Sequence, residues 1–318
     1  MTPRVTDVEN QTITFIIPAL NEAQNLPETI NSIKSAVRES EYEILVIDNG
    51  STDDTIKIAE SLGASTFKDP HATIGELRNL GVKRSSGELI CFIDSDVSIA
   101  DNWERELQIF LKDLNKNRLY VTGSRCEIDF NNSNFVEKNW FYLLQHSWSK
   151  YINSGHLITS RETFNRIDGF DAALKTGEDY DFCRRASALN ITIIENKKLR
   201  AFHRGYPKTI GQFFLREAWH GRSDMESIKN FLKSKMAILS LANVTALLAL
   251  VIGVISGQNK MAILGFISVL LIDFSITAYK FGKMPSTQFL KVAFCFEIYM
   301  LGRIFSIFYK RNRPAARE

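Results

Sequence analysis

Between Gly87 and Asp96 the chain reads Gly-Glu-Leu-Ile-Cys-Phe-Ile-Asp-Ser-Asp. Leu89 to Ile93 is an unbroken apolar run with no polar side, which suits a strand buried on both faces of a mostly parallel sheet. That restricts the chain to an α/β layer architecture. The run then turns acidic. In open α/β sheets ligands bind outside the carboxyl ends of the strands, so Asp94 and Asp96 fall where a site belongs. Two carboxylates one residue apart in a tight turn can face one hard cation, and Mg²⁺ takes one or two carboxylates together with substrate phosphates. Asp and Ser also favour turns for their own sake, so the pair alone is open to both readings.

The flanking sequence repeats the same unit. Thr12 to Ile17 reads as a first strand ended by Pro18, followed by a helix with Leu26, Ile30, Ile33 and Val37 on one face. Tyr42 to Ile47 is a second strand running into Asp48-Asn49-Gly50-Ser51-Thr52-Asp53, and a helix stopped by Gly63 follows. Ala64 to Phe67, Leu119 to Thr122, Gly155 to Thr159, Ile191 to Ile194 and Leu199 to Phe202 read as further strands. Helices are predicted at Ile74 to Ser85, Trp103 to Leu114 and Tyr180 to Leu189, whereas Phe135 to Tyr151 is aromatic and irregular. Alternating strands and helices predict right-handed crossovers.

At 318 residues the chain reaches the size at which cores split. Charged and apolar residues mix up to about Asn230, and from Met236 onward Leu, Ile, Val, Ala and Phe dominate. A net charge of +3 and the lack of a basic stripe with interleaved aromatics argue against a nucleic-acid partner. Cys91, Cys126, Cys183 and Cys295 show no Cys-x-x-Cys spacing and read as buried free thiols in a reducing compartment. Met1 to Gln11 is polar and acidic, unlike a signal peptide, which predicts a cytoplasmic catalytic part.

Several single residues carry two readings each. Asp48 ends its strand as Asp94 ends the other, and its carboxylate can accept a pyrimidine N–H or start an Asx-turn before Gly50. Arg78 can clamp phosphate bidentately or lie on a helix surface. Glu178-Asp179 follows Gly177 at a helix start, where acidic groups suit the dipole; Asp179 is also a candidate general base for a sugar hydroxyl. His203, at a strand end, is a candidate metal ligand or a structural histidine.

Taken in order, Phe15-Ile16-Ile17-Pro18-Ala19-Leu20-Asn21-Glu22, Asp48-Asn49-Gly50-Ser51-Thr52-Asp53, Arg78-Asn79-Leu80-Gly81, Asp94-Ser95-Asp96, Gly169-Phe170-Asp171 and Gly177-Glu178-Asp179 resemble the family 2 glycosyltransferases of the GT-A fold. The resemblance covers about Thr12 to Ser223. It implies a Rossmann-like, mostly parallel sheet with flanking helices, and inverting transfer of a sugar from a nucleotide diphosphate donor, with Mg²⁺ or Mn²⁺ as cofactor. On that resemblance Pro18, Ala19, Asn21 and Glu22 border the nucleoside, Asp48 holds the base, Arg78 approaches the diphosphate, and Asp94, Ser95 and Asp96 hold ribose and metal. Asp96 is then the closer metal ligand, His203 a further one, and Asp179, beside Glu178, the base. The Gln-x-x-Arg-Trp of processive synthases is absent: Gln212, Arg216 and Trp219 stand at wider spacing.

Met236 to Ile255 and Met261 to Tyr279 are each long and apolar enough to span a bilayer, broken only by Asp273 in the second, and read as a transmembrane helical hairpin. In about 288–310, Gln288, Lys291, Cys295, Tyr299, Gly302, Arg303, Ser306 and Lys310 recur at helical spacing, which predicts an amphipathic helix lying in the interface; a third span is the alternative. Lys280, Lys283 and the basic tail (Lys310, Arg311, Arg313, Arg317) then share the cytoplasmic side with the enzyme. The expected organisation is a cytoplasmic catalytic domain over 1–225 and a membrane domain over 226–318, in a multi-pass protein of the inner (cytoplasmic) membrane. The expected activity is transfer of one sugar, from a UDP-sugar by family analogy, to a lipid-linked or glycan acceptor beside membrane lipid. A processive polysaccharide synthase, a polyprenyl-phosphate sugar synthase and a non-catalytic nucleotide-sugar-binding scaffold are the alternatives.

Overall fold

The computed structural model describes residues 11–114, 119–128, 133–146 and 151–308. They form two compact units, the first from the described residues of Met1–Asp129 and Trp148–Gly205, the second from those of Phe130–Ser147 and Tyr206–Ala315. The second unit includes helix Ile210–His220, which packs on helix Ser286–Phe305.

In chain order the elements are β1 (Ile13–Ala19), α1 (Leu26–Ala36), β2 (Tyr42–Asp48), α2 (Thr55–Ser61), β3 (Ser65–Lys68), α3 (Ile74–Arg84), β4 (Leu89–Ile93), β5 (Val97–Ile99), α4 (Trp103–Asp113), β6 (Tyr120–Gly123), α5 (Tyr142–His146), β7 (His156–Ser160), α6 (Arg161–Ile167), α7 (Glu178–Ala188), β8 (Thr192–Glu195) and β9 (Ala201–His203). Of these, α5 belongs to the second unit. Seven strands form one sheet in the order β3-β2-β1-β4-β7-β6-β8. The β3-β2-β1-β4 and β6-β8 pairings are parallel, and β7 alone runs against its neighbours. A separate antiparallel ribbon joins β5 to β9.

Every residue of β1 and β4 is buried, as the unbroken apolar run requires. Alternate side chains feed opposite cores. Phe15 and Ile17 join Leu26, Ile30, Ile33 and Trp103 on one face, while Ile16 and Phe92 join Phe164, Phe170 and Phe182 on the other. Pro18 does not end β1: the strand runs on to Ala19, paired with β2 through Ala19↔Asp48, whereas its pairing with β4 stops at Ile16↔Phe92. A proline lacking its N–H is tolerated where the ladder on one side has finished.

The second unit adds α8 (Ile210–His220), α9 (Ile228–Lys233), α10 (Lys235–Ile255), α11 (Asn259–Phe281) and α12 (Ser286–Phe305). The aromatic stretch that looked irregular holds a π-helical turn at Glu137–Phe141. It buries Trp140 among the rings of Phe213, Phe281, Phe296 and Tyr299. Both α10 and α11 are long and apolar enough to cross a membrane. They approach closely at two glycines: a Cβ on Gly253 would meet Ala262 N at 2.4 Å, and one on Gly265 would meet Leu250 N at 2.4 Å. On α12 the outcome differs from the amphipathic expectation. Cys295, Tyr299, Gly302 and Ser306, assigned to the polar side, are buried, and a Cβ on Gly302 would meet Phe214 O of α8 at 2.8 Å. Leu290, Phe294 and Phe305 are exposed, as is Lys291 of the polar side. Small residues let helix backbones approach, so that side became the packing face. Lys310 and the rest of the basic tail lie outside the described residues.

Candidate active site

The carboxyl ends of β1, β2 and β4 carry Pro18 to Glu22, Asp48, and Asp94 to Asp96. After β4 the chain makes a tight turn in which Val97 N–H donates to Asp94 O at 3.1 Å, then enters β5. Pairing of β5 with β9 sets His203 opposite Val97, and Arg204 N–H donates to Asp96 O at 2.9 Å. Hence His203 Nε2 lies 3.6 Å from Asp96 Oδ1. One ligand atom from each of Asp94, Asp96 and His203 falls within 4.8 Å of the others. Two carboxylate oxygens and an imidazole nitrogen are a donor set that suits a divalent cation of the Mg²⁺ or Mn²⁺ kind. Ser95, between them, is buried, and its carbonyl accepts from Thr29 Oγ1 of α1 at 2.8 Å. Gly155 frames the other side: Asp94 N–H donates to Gly155 O at 3.2 Å, and Asp94 Oδ2 would lie 2.9 Å from a Cβ at that glycine.

Arg78 is 2% exposed, so it lies neither on a helix surface nor open to solvent. Its Nη2 meets Asp94 Oδ1 at 2.8 Å and its Nη1 meets Glu178 Oε1 at 2.7 Å. The guanidinium also lies over the Phe170 ring, 5.7 Å from its centroid. The capping box of Thr73 and Glu76 starts α3 and so aims Arg78 inward. Glu178 takes a second bond from Ser154 Oγ at 3.3 Å. Asp179 is the second residue of α7, whose N-cap Gly177 has a φ of +78° that suits a residue with no Cβ. It is 9% exposed and accepts from Tyr180 N–H at 2.7 Å. Burial, and then the neighbouring Glu178 charge, push its carboxyl up to about 7, against a pull from Arg78.

The residues expected to border the nucleoside form a braced rim. Asp48 is buried and accepts Gly50 N–H at 2.9 Å and Ser51 N–H at 3.0 Å, an Asx-turn. Asn21, at φ 54°, accepts Thr52 N–H at 2.8 Å and donates its own N–H to Ser51 Oγ at 2.8 Å. Glu22 N–H donates to Thr55 Oγ1, and its carboxylate accepts Asn25 Nδ2 at 2.8 Å. Pro18 and Ala19 lie just before this rim, at the end of β1. Thr29, Ser154 and Gly155 were not readable as site residues; a small-residue pair before an apolar strand and a threonine inside a helix carry no signal of their own. His156, just beyond, is buried and neutral, its imidazole pushed down to about 4 by burial while it accepts Trp103 Nε1–H at 2.8 Å.

The glycosyltransferase AglE of Haloferax volcanii is 26% identical over 188 residues, 55% of this chain and 61% of that protein. An uncharacterized glycosyltransferase of Mycobacterium tuberculosis is 32% identical over 113 residues, 36% of this chain and 48% of its own. The chain thus spans about half to three-fifths of the length of the curated relatives it matches. In fold it is similar to the mannosyltransferase PcManGT of Pyrobaculum calidifontis, solved in complex with GDP-Man and Mn²⁺, with a TM-score of 0.59 over 95% of this chain and 88% of that one at 14% identity. The profile of the family described as "Glycosyl transferase family 2" matches residues 14–174, which includes Asp48, Arg78, Asp94 and Asp96 and stops short of Glu178, Asp179 and His203. Matching half of its length to that profile, and built on a GT-A sheet, the chain belongs to glycosyl transferase family 2.

Proposed function

We propose that this protein is a membrane-bound inverting glycosyltransferase. It moves one sugar from a nucleoside diphosphate donor to a hydroxyl of a lipid-linked acceptor at the cytoplasmic face of the inner membrane, in glycan or polysaccharide assembly. One observation carries the reading: Arg78 bonds Asp94 at 2.8 Å and Glu178 at 2.7 Å, tying the acidic turn after β4 to the start of α7. Donor and acceptor chemistry therefore share one small volume.

Asp94, Asp96 and His203 would hold Mg²⁺ or Mn²⁺. When bound, the cation neutralises negative charge that develops on a departing nucleoside diphosphate. Pro18, Ala19, Asn21 and Glu22 border the nucleoside, and Asp48, with acceptor capacity left beyond its turn, takes a ring N–H. Arg78 is a positioning residue here: its two carboxylate partners occupy the guanidinium edges that a diphosphate would need. Asp179 takes the acceptor proton as the hydroxyl attacks C1 from the side opposite the leaving group, and a single displacement inverts the anomeric centre. A carboxyl pushed up to about 7 is well matched to that task near neutral pH. A phosphate monoester acceptor is already ionised and needs no such base, which favours a hydroxyl. The α10–α11 hairpin holds the enzyme at the membrane where a lipid-linked acceptor lies.

The test is a thermal-shift screen of the full chain in detergent with UDP- and GDP-sugars plus Mn²⁺, Asp96→Ala serving as control. Stabilisation by at least one donor, lost in the variant, is the expected result. No response to any nucleoside diphosphate removes the donor half of the proposal. With a radiolabelled donor and a lipid-linked acceptor, a single added residue is expected, and a ladder of products points to a processive synthase.

A further inference from the structure

Between α8 and the first long apolar helix stands α9, six residues from Ile228 to Lys233. None of them is buried: Ile228 is 79% exposed and Leu232 65%. The helix is nonetheless capped at both ends. Ser227 Oγ accepts Asn230 N–H at 3.1 Å, and Ser234 N–H donates to Asn230 O at 3.1 Å. Ser234 Oγ accepts Ala237 N–H at 3.2 Å, so α9 ends on the residue that caps α10. A helix this short is marginal in water by itself, and the described residues bury no part of it.

Its side chains sort by face. Ile228, Phe231 and Leu232 share one side, at helical spacing. Lys229 and Lys233, four residues apart, form an exposed row along the edge of that side, and Asn230 faces away. Like charges at that spacing repel, and no acidic residue follows Glu226 before Asp273 to offset them. Lysines beside an apolar strip suit a membrane interface, with their stems along the acyl boundary and their ammonium groups among the headgroups. The end of the α10–α11 hairpin at which α9 stands also carries Lys235, Lys280 and Lys283, whereas the other end carries Lys260.

We propose, on the reading that the hairpin crosses the membrane, that α9 is a docking helix for anionic phospholipid. It lies flat at the surface, sets Ile228, Phe231 and Leu232 below the headgroups, and holds acidic headgroups through Lys229 and Lys233. A crossing by α10 puts its first residue, and so the end of α9, at that surface. Negative headgroups attract juxtamembrane lysines, and salt screens the attraction. A zwitterionic surface offers the same apolar boundary without the net charge, so lipid composition separates charge recognition from simple insertion.

The test places a nitroxide spin label on introduced cysteines of the full chain in nanodiscs, the native cysteines being buried. Collision with oxygen, which enters the bilayer, is compared with collision with a water-soluble nickel chelate. In discs of phosphatidylcholine with phosphatidylglycerol, the label on Ile228→Cys is expected to favour oxygen and that on Asn230→Cys the chelate. The preference at 228 should be lost in phosphatidylcholine alone and when Lys229→Gln and Lys233→Gln are combined. All these positions are exposed, so folding is not at stake. Leu248→Cys, at an exposed position within α10, reports the crossing itself. Chelate access at 228 with 248 protected overturns the docking helix and leaves the crossing standing, whereas chelate access at both overturns the crossing and α9 with it. An oxygen preference at 228 that survives both without phosphatidylglycerol and without the lysines overturns the recognition of anionic lipid. A label at 228 closed to both reagents marks a protein neighbour and overturns the lipid as occupant.

Discussion

Asp179 and Glu178 are adjacent carboxylates in different surroundings, and in the proposed mechanism the difference sets their roles. Glu178 is bonded to Arg78 and Ser154, whereas Asp179 is buried beside it with its carboxyl pushed up to about 7. A base acts in its ionised form, so a raised pKa means that activity is lost as the pH falls through about 7 and recovers above it. The kcat/KM profile of the wild type is therefore expected to show an acid limb near that pH. In Asp179→Asn, kcat/KM should fall by ~10²–10⁴-fold and that limb should vanish. Arg78 makes a different demand. Removing it leaves Glu178 and Asp94 without their cation, Glu178 in a buried place, and breaking a buried pair costs on the order of 3–5 kcal/mol. Because the Asp94 side chain is a third exposed, the lower end is expected for Arg78→Ala. Denaturant unfolding that shows a loss below ~1 kcal/mol would rule out the strut role.

At the level of elements, the site depends on how three strand ends and a two-stranded ribbon are arranged. The β7 start packs so tightly behind the acidic turn that Gly155 has no room for a side chain: its Cβ would meet Asp94 Oδ2 at 2.9 Å and Asn153 Oδ1 at 3.0 Å. Both are ends of movable side chains, so Gly155→Ala should unfold little and instead displace Asp94. Mn²⁺ affinity, followed by electron paramagnetic resonance of the free ion, should drop ~10-fold with Tm nearly unchanged. The Leu89–Ile93 strand, its acidic end and the crossover pattern were legible because apolar runs and their boundaries are local properties. The β5–β9 ribbon was not. Val97–Ile99 is three residues long, and its partner lies about a hundred residues away, so only long-range pairing brings His203 to Asp96. The burial of Arg78 was not legible for a similar reason, since both of its partners come from other elements.

Across the whole chain, the change in composition near Met236 located the apolar helices to within two residues at each end, because spanning length is itself a sequence property. The face of α12 was not legible: Gly302, Cys295 and Ser306 look polar or small on paper, and their size, not their polarity, decided the packing. The 21 residues of α10 and 23 of α11 give lengths of about 32 and 35 Å, against a hydrocarbon core of about 30 Å. If the hairpin crosses the membrane with the catalytic unit cytoplasmic, the short connection at Gly257–Gln258 lies outside, while the Lys283–Ser286 connection lies inside with Lys283. Cysteine labelling can read this directly, since Cys91, Cys126, Cys183 and Cys295 are all buried and give little background. In intact cells a membrane-impermeant maleimide is expected to label Gln258→Cys and to spare Ser286→Cys. After permeabilisation both should react, because both positions are exposed. Equal labelling of the two in intact cells would place both connections on one side, and the hairpin would then lie along the bilayer surface instead of crossing it.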